Sequence, residues 1–270
     1  MAVAVVTGAS RGIGRATALA LAQMGFTVAV IARAPDELEE TRELVARQGG
    51  AAVAVAGDVT DPRVVREAVI EIEKRGGPIA ALVNNAGTLL AIGPLWEVRP
   101  EDWWTDVRTS LGGAFTCCRE IVPGMVARGE GRIVNLVSYA AVRPAPYQAG
   151  YAAAKAGVVS LTEALAASLE PHGVKAFAVA PGFTRTEMTR SLLESDAGRR
   201  WLPEAGRGGE VAAEQTARLI ARLASGAADE LTGRVLHTLD DLDDLLVRIE
   251  EIRRGDLYVP RLRRLLEEGS

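Results

Sequence analysis

The sequence predicts an α/β protein with three layers: a doubly wound, mainly parallel sheet of seven strands between two layers of helices. Short, β-branched and almost wholly apolar runs alternate with longer amphipathic stretches, several of which end in glycine. Runs of that kind suit strands buried on both faces of a parallel sheet. Their alternation with helices implies right-handed βαβ units. The predicted strands are Val3–Thr7, Thr27–Ala32, Ala52–Ala56, Ile79–Asn84, Arg132–Ser138, Lys175–Ala180 and Arg234–Thr238.

Composition indicates a globular protein with a small-molecule ligand. The chain has 270 residues, 48% of them hydrophobic, and a formal net charge of −4 with both signs scattered along it. A nucleic-acid partner would require a basic face, so we expect none. No linker or repeat divides the chain. We therefore expect one catalytic domain over residues 1–237, with a helical extension of the same domain over residues 238–270.

Cysteine and histidine usage predicts neither a disulfide nor a metal site. Cys117 and Cys118 are adjacent, which is typical of two small apolar residues on a helix, and the two histidines lie far apart. Met1–Thr7 lacks the charged start of a signal peptide, and no apolar run was found that approaches the ~20 residues of a membrane span. We expect a soluble, cytoplasmic protein.

A glycine-rich loop follows the first strand and opens a helix. It contains Gly8, Ser10, Arg11, Gly12, Ile13 and Gly14. Glycines let the backbone approach a pyrophosphate, which the N–H groups of a helix N-terminus then bind. This context predicts a dinucleotide site. The same residues also read G-x-S-x-G, the nucleophile elbow of an α/β-hydrolase, although here no earlier loop exists to supply part of an oxyanion hole.

The end of the second strand predicts a preference for NADP(H) over NAD(H). An NAD-specific site places a carboxylate there, whereas this strand ends in Ala32 followed by Arg33. Arg33 and Arg11 can both bind a 2′-phosphate, and the alternative is that both are solvated surface residues. Asp36 and Glu37 come later, in the expected first helical turn, where acids are ordinary.

Candidate catalytic side chains follow the fifth predicted strand. Tyr151 and Lys155 are four residues apart and share one face of a helix. A nearby ammonium and an oxidised nicotinamide would favour the phenolate of Tyr151. Ser138 ends a strand at the edge where ligands of such sheets bind, and its hydroxyl can hold a substrate oxygen. Taken singly, these residues could equally be an incidental pair and a strand terminus.

The ordered set of motifs resembles the short-chain dehydrogenase/reductase family over roughly residues 2–237, with 3-oxoacyl-carrier-protein-reductase-like members most similar. The motifs are the glycine loop, Asp58-Val59, Asn84-Asn85-Ala86-Gly87, Ser138, Tyr151-x-x-x-Lys155 and Pro181-Gly182 with Thr186. The resemblance implies a Rossmann-like fold and hydride transfer between a nicotinamide and a carbonyl or secondary alcohol. It also implies that Ser138 orients the substrate, that Tyr151 is the general acid/base and that Lys155 holds the nicotinamide ribose.

Further cofactor contacts follow only from the resemblance. Asp58 would contact the adenine, with a backbone contact from Val59 beside it. Asn85, Ala86 and Gly87 would lie along the cofactor. Thr184 and Thr186 would contact the nicotinamide amide and the phosphates. The stretch Phe183–Gly209, which carries Arg185, Arg190, Arg199, Arg200 and Trp201, would form a lid over the substrate; its arginines could instead form a solvated face.

Two features depart from the family pattern. The family usually has an asparagine where this chain has Ser110, and that asparagine is thought to hold a water linking the lysine to solvent. The change leaves open a relay through Ser110 and a degenerate, non-catalytic NADP-binding protein. The second departure is the extension Thr238–Ser270, in which acids precede an apolar helical face of Leu242, Leu245, Leu246, Ile249 and Ile252.

The resemblance also implies a homodimer or homotetramer. The helices around Glu101–Arg128 and Tyr151–Glu170 would form a two-fold interface. The family's tetramer also uses the end of the sheet, and the extension would either block that second contact or extend it.

Overall fold

All seven predicted strands form, and they lie in one sheet. The structure, a computed structural model, describes residues 2–262; Met1 and residues 263–270, the end of the predicted extension, lie outside the described residues. The strands are β1 (Val3–Thr7), β2 (Thr27–Ala32), β3 (Ala51–Ala56), β4 (Ile79–Asn84), β5 (Gly131–Leu136), β6 (Val174–Ala180) and β7 (Val235–His237). Their order is β3-β2-β1-β4-β5-β6-β7, and each neighbouring pair is parallel. The predicted fold class is confirmed.

The strand order reverses between β1 and β4, and this reversal positions the site. From β1 the chain proceeds to β2 on one side, whereas β4 leads to β5 on the other. The loops that leave the carboxyl ends of β1 and β4 therefore diverge and open a crevice, which is where ligands of such sheets bind. The glycine loop follows β1 and Asn85 follows β4, so both lie at this crevice.

Helices cover both faces of the sheet. Within the described residues they are α1 (Gly12–Gln23), α2 (Pro35–Arg47), α3 (Pro62–Gly76), α4 (Pro100–Val107), α5 (Gly113–Arg128), α6 (Ala149–Leu169), α7 (Glu187–Glu194), α8 (Asp196–Trp201), α9 (Ala213–Ala224), α10 (Leu242–Val247) and α11 (Ile249–Arg254). The single helix expected over Glu101–Arg128 is interrupted by a π-helical turn at Arg108–Gly112.

The core lies on both faces of the sheet. On one face Leu21 of α1 and Ile220 of α9 pack in the same apolar cluster as the strands. On the other face Ile72 of α3 and Met125 of α5 do so. Cys117 is in this second cluster with its neighbour Cys118; both are free thiols, and burial raises the pKa of each to about 12. The prediction of two small apolar residues on a helix is confirmed.

The extension packs on the sheet as two short helices rather than one. Leu242, Leu245 and Ile252 are buried in the cluster that contains α1 and α9. Asp241 caps α10 by accepting from the N–H groups of Asp243 and Asp244, as expected for acids at a helix start. That the extension belongs to the same domain as residues 1–237 stays a prediction, which this packing supports.

The extension also covers the free edge of β7. The N–H of Val235 donates to the carbonyl of Tyr258 at 2.8 Å, and Arg234 pairs with Asp256 at 3.0 Å. An exposed strand edge would otherwise present unpaired donors and acceptors to another chain.

One helix is longer and more apolar than the sequence analysis expects. Residues Ala149–His172, which comprise α6 and a following 3₁₀ turn, are long and apolar enough to cross a membrane by length and composition. The same helix contacts β6 and carries Lys155 at a buried position. A helix that covers a sheet on one face is expected to be rich in apolar residues, so its hydropathy has an explanation in this fold.

Candidate active site

A cavity of about 490 Å³ opens at the crevice between β1 and β4. Among the predicted cofactor residues it is lined by Gly8, Ser10, Arg11, Gly12, Ile13, Arg33, Asp58, Val59, Asn85, Ala86, Gly87, Tyr151, Lys155 and Thr186. Gly14 and Thr184 do not line it, and neither do Ser138 and Ser110. Residues that the sequence analysis did not assign to the site also line it, namely Glu37, Thr109, Leu89, Leu90, Met188 and Ser191.

The glycine loop has the backbone of a tight turn. Gly8 adopts a φ of +63°, which residues with a side chain rarely adopt. A Cβ on Gly14 would lie 2.2 Å from the carbonyl oxygen of Gly8, so only glycine permits this approach. Gly14 therefore shapes the loop although it does not line the cavity. The turn leads directly into α1, whose first residues Gly12 and Ile13 line the cavity, and the free N–H groups of a helix N-terminus can bind an anion.

The side chain of Asn85 bonds the glycine loop. Its side-chain amide donates to the carbonyls of Thr7 at 2.9 Å and Gly8 at 3.0 Å. The hydroxyl of Thr7 in turn accepts from the backbone N–H groups of Asn85 at 3.0 Å and Ala86 at 3.1 Å. These bonds join the ends of β1 and β4, so the loops on the two sides of the cavity are fixed to each other.

Asp58 forms the turn that its position after β3 predicts. Its Oδ1 accepts from the backbone N–H of Thr60 at 2.9 Å and from the hydroxyl of Thr60 at 2.8 Å. With Val59 it lines the cavity on the side of β2 and β3. The turn thus places both residues at the cavity, and their contact with the adenine stays a prediction.

Charged side chains surround the same end of the cavity. Arg33 is exposed and lines it. Arg11 also lines it, and its Nη1 lies 3.5 Å from Oε1 of Glu37, a residue of the first turn of α2. Both predicted arginines therefore line the cavity, and the carboxylate of Glu37 accompanies Arg11.

Helix α6 brings Tyr151 and Lys155 into the cavity. Lys155 is 5% exposed, and its Nζ donates to the carbonyl of Leu136 at 2.7 Å. The same Nζ lies 5.7 Å from the centre of the Tyr151 ring. Ser138 follows β5 and caps a short 3₁₀ turn, accepting from the N–H of Ala140 at 3.2 Å.

Burial controls the titration of this pair. It raises the pKa of Tyr151, and the nearby Asp106 carboxylate adds to the rise, whereas hydrogen bonding by Ser138 opposes it. Burial lowers the pKa of Lys155 to about 8. That the Lys155 ammonium and an oxidised nicotinamide together favour the phenolate of Tyr151 stays a prediction.

Ser110 lies in the π-helical turn between α4 and α5. It is 3% exposed, and its hydroxyl is buried without a hydrogen-bond partner among residues 2–262. A Cβ added to Gly87 would lie 3.1 Å from this hydroxyl and 3.5 Å from Nζ of Lys155. The hydroxyl of Ser110 and the ammonium of Lys155 therefore lie close to the same side of the Gly87 backbone. Single π turns frequently occur at functional sites.

Asp106 is a positioning residue that the sequence analysis did not identify. It is fully buried, and its carboxylate accepts from the backbone N–H of Leu90 at 2.9 and 3.1 Å and from that of Ala91 at 3.1 Å. These bonds fix the loop after β4, whose residues Leu89 and Leu90 line the cavity. No local pattern marks a helical aspartate as the partner of a loop sixteen residues earlier.

The predicted lid contains α7 and α8. Thr186 caps α7 and lines the cavity together with Met188 and Ser191. Trp201, at the end of α8, packs on the ring of Tyr147 with centres 4.9 Å apart. Most of the lid arginines bind neighbouring acids, in the pairs Arg185–Glu210, Arg190–Glu187 and Arg199–Asp196, which is the solvated face considered as an alternative. Arg200 instead stacks on Trp201.

The alternative of a hydrolase lacks a base at this site. Ser10, the serine of the G-x-S-x-G pattern, is 8% exposed and lines the cavity. The described residues that line the cavity include no histidine. A serine nucleophile needs an adjacent base to be activated, so this geometry does not favour acyl transfer.

Comparison with known proteins identifies the family. The sequence profile described as short chain dehydrogenase matches residues 2–197. A 3-oxoacyl-[acyl-carrier-protein] reductase of Staphylococcus epidermidis is 36% identical over 237 residues, which cover 87% of this chain and 96% of the relative. A 3-oxoacyl-[acyl-carrier-protein] reductase of Synechocystis is 40% identical over 195 residues, covering 70% of this chain and 77% of the relative.

Solved structures agree with the sequence relatives. A variant of actinorhodin polyketide ketoreductase with NADPH superposes with a TM-score of 0.80 at 32% identity, covering 87% of this chain and 95% of that one. Levodione reductase superposes with a TM-score of 0.81 at 28% identity, covering 87% and 95%. The chain belongs to the short-chain dehydrogenase/reductase family and is an NAD(P)-dependent oxidoreductase.

Proposed function

We propose that the protein transfers hydride between NADP(H) and a ketone or secondary alcohol, with Tyr151 as the general acid/base. One observation supports this above all: the Tyr151–Lys155 pair and the glycine loop line the same cavity. The cavity's chemistry fits a dinucleotide, because it combines a helix N-terminus, glycine backbone without Cβ atoms and two guanidinium groups. The buried hydroxyl of Thr184, which has no hydrogen-bond partner within the described residues, is a further donor for a polar ligand.

The residues of the site divide the proton chemistry between them. Bound NADPH would supply the hydride. In reduction, the phenol of Tyr151 donates its proton to the substrate oxygen while Ser138 donates a hydrogen bond to the same oxygen. The high pKa of the phenol keeps it protonated for this step. The ammonium of Lys155, whose pKa of about 8 lies near neutrality, then returns a proton to the phenolate.

Arg33 is proposed to select NADP(H) over NAD(H). It lines the cavity beyond the end of β2 and belongs to no ion pair among residues 2–262, so its guanidinium can bind a 2′-phosphate. We expect an affinity about tenfold or more higher for NADPH than for NADH. Arg33→Ala should weaken NADPH binding much more than NADH binding, measured by nucleotide fluorescence titration. Equal affinities for NADPH and NADH in the wild type, or an unchanged ratio of these affinities in Arg33→Ala, would contradict this role of Arg33.

Ser110 is proposed to support the proton path at Lys155. Its buried hydroxyl has no protein partner and lies toward Lys155. We expect Ser110→Asn, which restores the usual residue of the family, to keep kcat at or above the wild-type value. Ser110→Ala, which removes the hydroxyl, should lower kcat. The role is wrong if Ser110→Ala leaves kcat unchanged, or if Ser110→Asn loses most activity at an unchanged melting temperature.

We propose a two-fold dimer through α5 and α6. Phe115 of α5 is 55% exposed, and only 39% of the apolar α6 window is buried within one chain. An exposed apolar surface of this kind marks an interaction site. The covered edge of β7 favours the possibility that the extension blocks a second contact there. Sedimentation at micromolar concentration should give a dimer, and a monomer would reject the interface.

The substrate is proposed to be a carbonyl compound of the kind that the relatives' names indicate, with 3-oxoacyl thioesters and ketones, including polyketides, as the first candidates. A screen of NADPH oxidation against such compounds tests this proposal.

The second candidate function, a non-catalytic NADP-binding protein, rests on the change to Ser110. Tight NADPH binding without turnover on any carbonyl would favour it.

A further inference from the structure

The carboxylate of Glu37 lies at the end of the cavity near β2, where the 2′-phosphate of NADP(H) is proposed to bind. Arg11, Arg33 and Glu37 line it together. Oε1 of Glu37 lies 3.5 Å from Nη1 of Arg11, and its Oε2 is buried without a hydrogen-bond partner in the described part of the chain. One of the two guanidinium groups available to a 2′-phosphate is therefore already engaged by an anion of this chain.

The backbone beside Glu37 is fixed against the glycine loop. Arg15 of α1 donates through Nη2 to the carbonyl of Glu37 at 3.3 Å and through Nε to the hydroxyl of Thr41 at 3.0 Å. The Thr41 hydroxyl donates to the carbonyl of Ala9 at 3.0 Å. These contacts join the first turns of α2 to α1 and to the loop. Because the backbone is held, the Glu37 carboxylate stays within reach of Arg11.

We propose that Glu37 is a specificity-determining residue that limits the preference for NADP(H) by competing with the 2′-phosphate for Arg11. The inference rests on the proposed function, because it concerns the cofactor of that site. Binding of NADPH requires Arg11 to leave Glu37 or to share its charge between two anions, whereas NADH carries no 2′-phosphate and requires neither. Glu37 therefore penalises NADPH and leaves NADH unaffected.

The exposure of the pair sets the size of this effect. The side chains of Arg11 and Glu37 are 58% and 37% exposed, so water screens their attraction and a phosphate can displace the carboxylate. Glu37 then lowers the preference for NADP(H) without abolishing it. Arg33 has no such competitor among the described residues and keeps the preference in favour of NADP(H).

The test is a comparison of nucleotide affinities, which requires no substrate. The dissociation constants of NADPH and NADH are measured by fluorescence titration for the wild type, Glu37→Gln and Glu40→Gln. Glu40 is a matched control: it also lies on α2, loses the same charge, and pairs with Arg15 at 3.0 Å instead of Arg11. We expect Glu37→Gln to raise the NADPH-to-NADH affinity ratio about fivefold, equivalent to about 1 kcal/mol. Glu40→Gln should leave the ratio unchanged.

A double-variant comparison isolates the competition for Arg11. In an Arg11→Ala background the increase caused by Glu37→Gln should disappear, because no guanidinium remains to be released. The proposal is overturned if Glu37→Gln leaves the ratio unchanged or lowers it, if Glu40→Gln raises it equally, or if the increase persists in full without Arg11. Failure of the wild type to bind either nucleotide would overturn the proposed function itself, and this inference with it.

Discussion

Tyr151→Phe is expected to lower kcat by about 10²–10⁴-fold, because it removes the proton that the substrate oxygen receives. The phenol lies in the cavity beside Lys155, and its pKa is raised by burial, so it is a proton donor at neutral pH. Phenylalanine keeps the ring and its packing. The affinity for NADPH, measured by fluorescence titration, should therefore remain close to the wild-type value.

A second tyrosine provides the control for this variant. Tyr258 lies in the extension, where its backbone carbonyl bonds Val235 of β7, away from the residues that line the cavity. Tyr258→Phe should leave kcat unchanged. If Tyr151→Phe kept even a third of the wild-type kcat, Tyr151 would not be the general acid/base.

Lys155→Met is expected to abolish most turnover and yet to stabilise the fold. Burial lowers the pKa of Lys155 from its usual 10.5 to about 8, so at neutral pH the folded protein holds a desolvated ammonium. Each unit of such a shift is worth about 1.4 kcal/mol. Methionine removes that cost but leaves the carbonyl of Leu136 without its donor. The net gain in the free energy of unfolding should be about 1–3 kcal/mol at neutral pH.

The sign of this effect predicts its pH dependence. Between the folded pKa of about 8 and the usual 10.5, the unfolded chain still binds the proton that the folded chain has lost, so the wild type gains stability as the pH rises. The advantage of Lys155→Met should therefore shrink above a pH of about 8. Urea unfolding at several pH values measures it, with Lys74→Met on the exposed surface of α3 as control. A less stable variant, or an advantage independent of pH, would contradict a buried charged lysine.

The sequence predicted the sheet well because its strands are buried on both faces. Each residue of β1 is buried, so the run carries no polar position that could mislead the assignment. The sequence also predicted the glycine loop correctly, because the backbone conformation of Gly8 and the close approach at Gly14 both favour glycine. Local pattern and local geometry coincide in these elements.

The parts that the sequence did not predict depend on distant contacts. Asp106 bonds the loop after β4, and Tyr147 packs on Trp201 of the lid; neither partner is near in sequence. Glu37 looked like an ordinary acid of a first helical turn, and only the fold places it beside Arg11. The raised pKa of Tyr151 was not predicted, because a sequence does not display the burial that causes it.

Transfer of deuterium from NADPH to the alcohol product is the direct test of hydride transfer by this protein. NADPH labelled at its hydride position is incubated with the protein and a ketone identified by the turnover screen, and the product is analysed by mass spectrometry. We expect an alcohol that carries one deuterium per NADPH oxidised in the wild type, and almost no labelled alcohol with Tyr151→Phe. NADPH oxidised without labelled alcohol, or labelled alcohol formed equally by Tyr151→Phe, would contradict the proposed function.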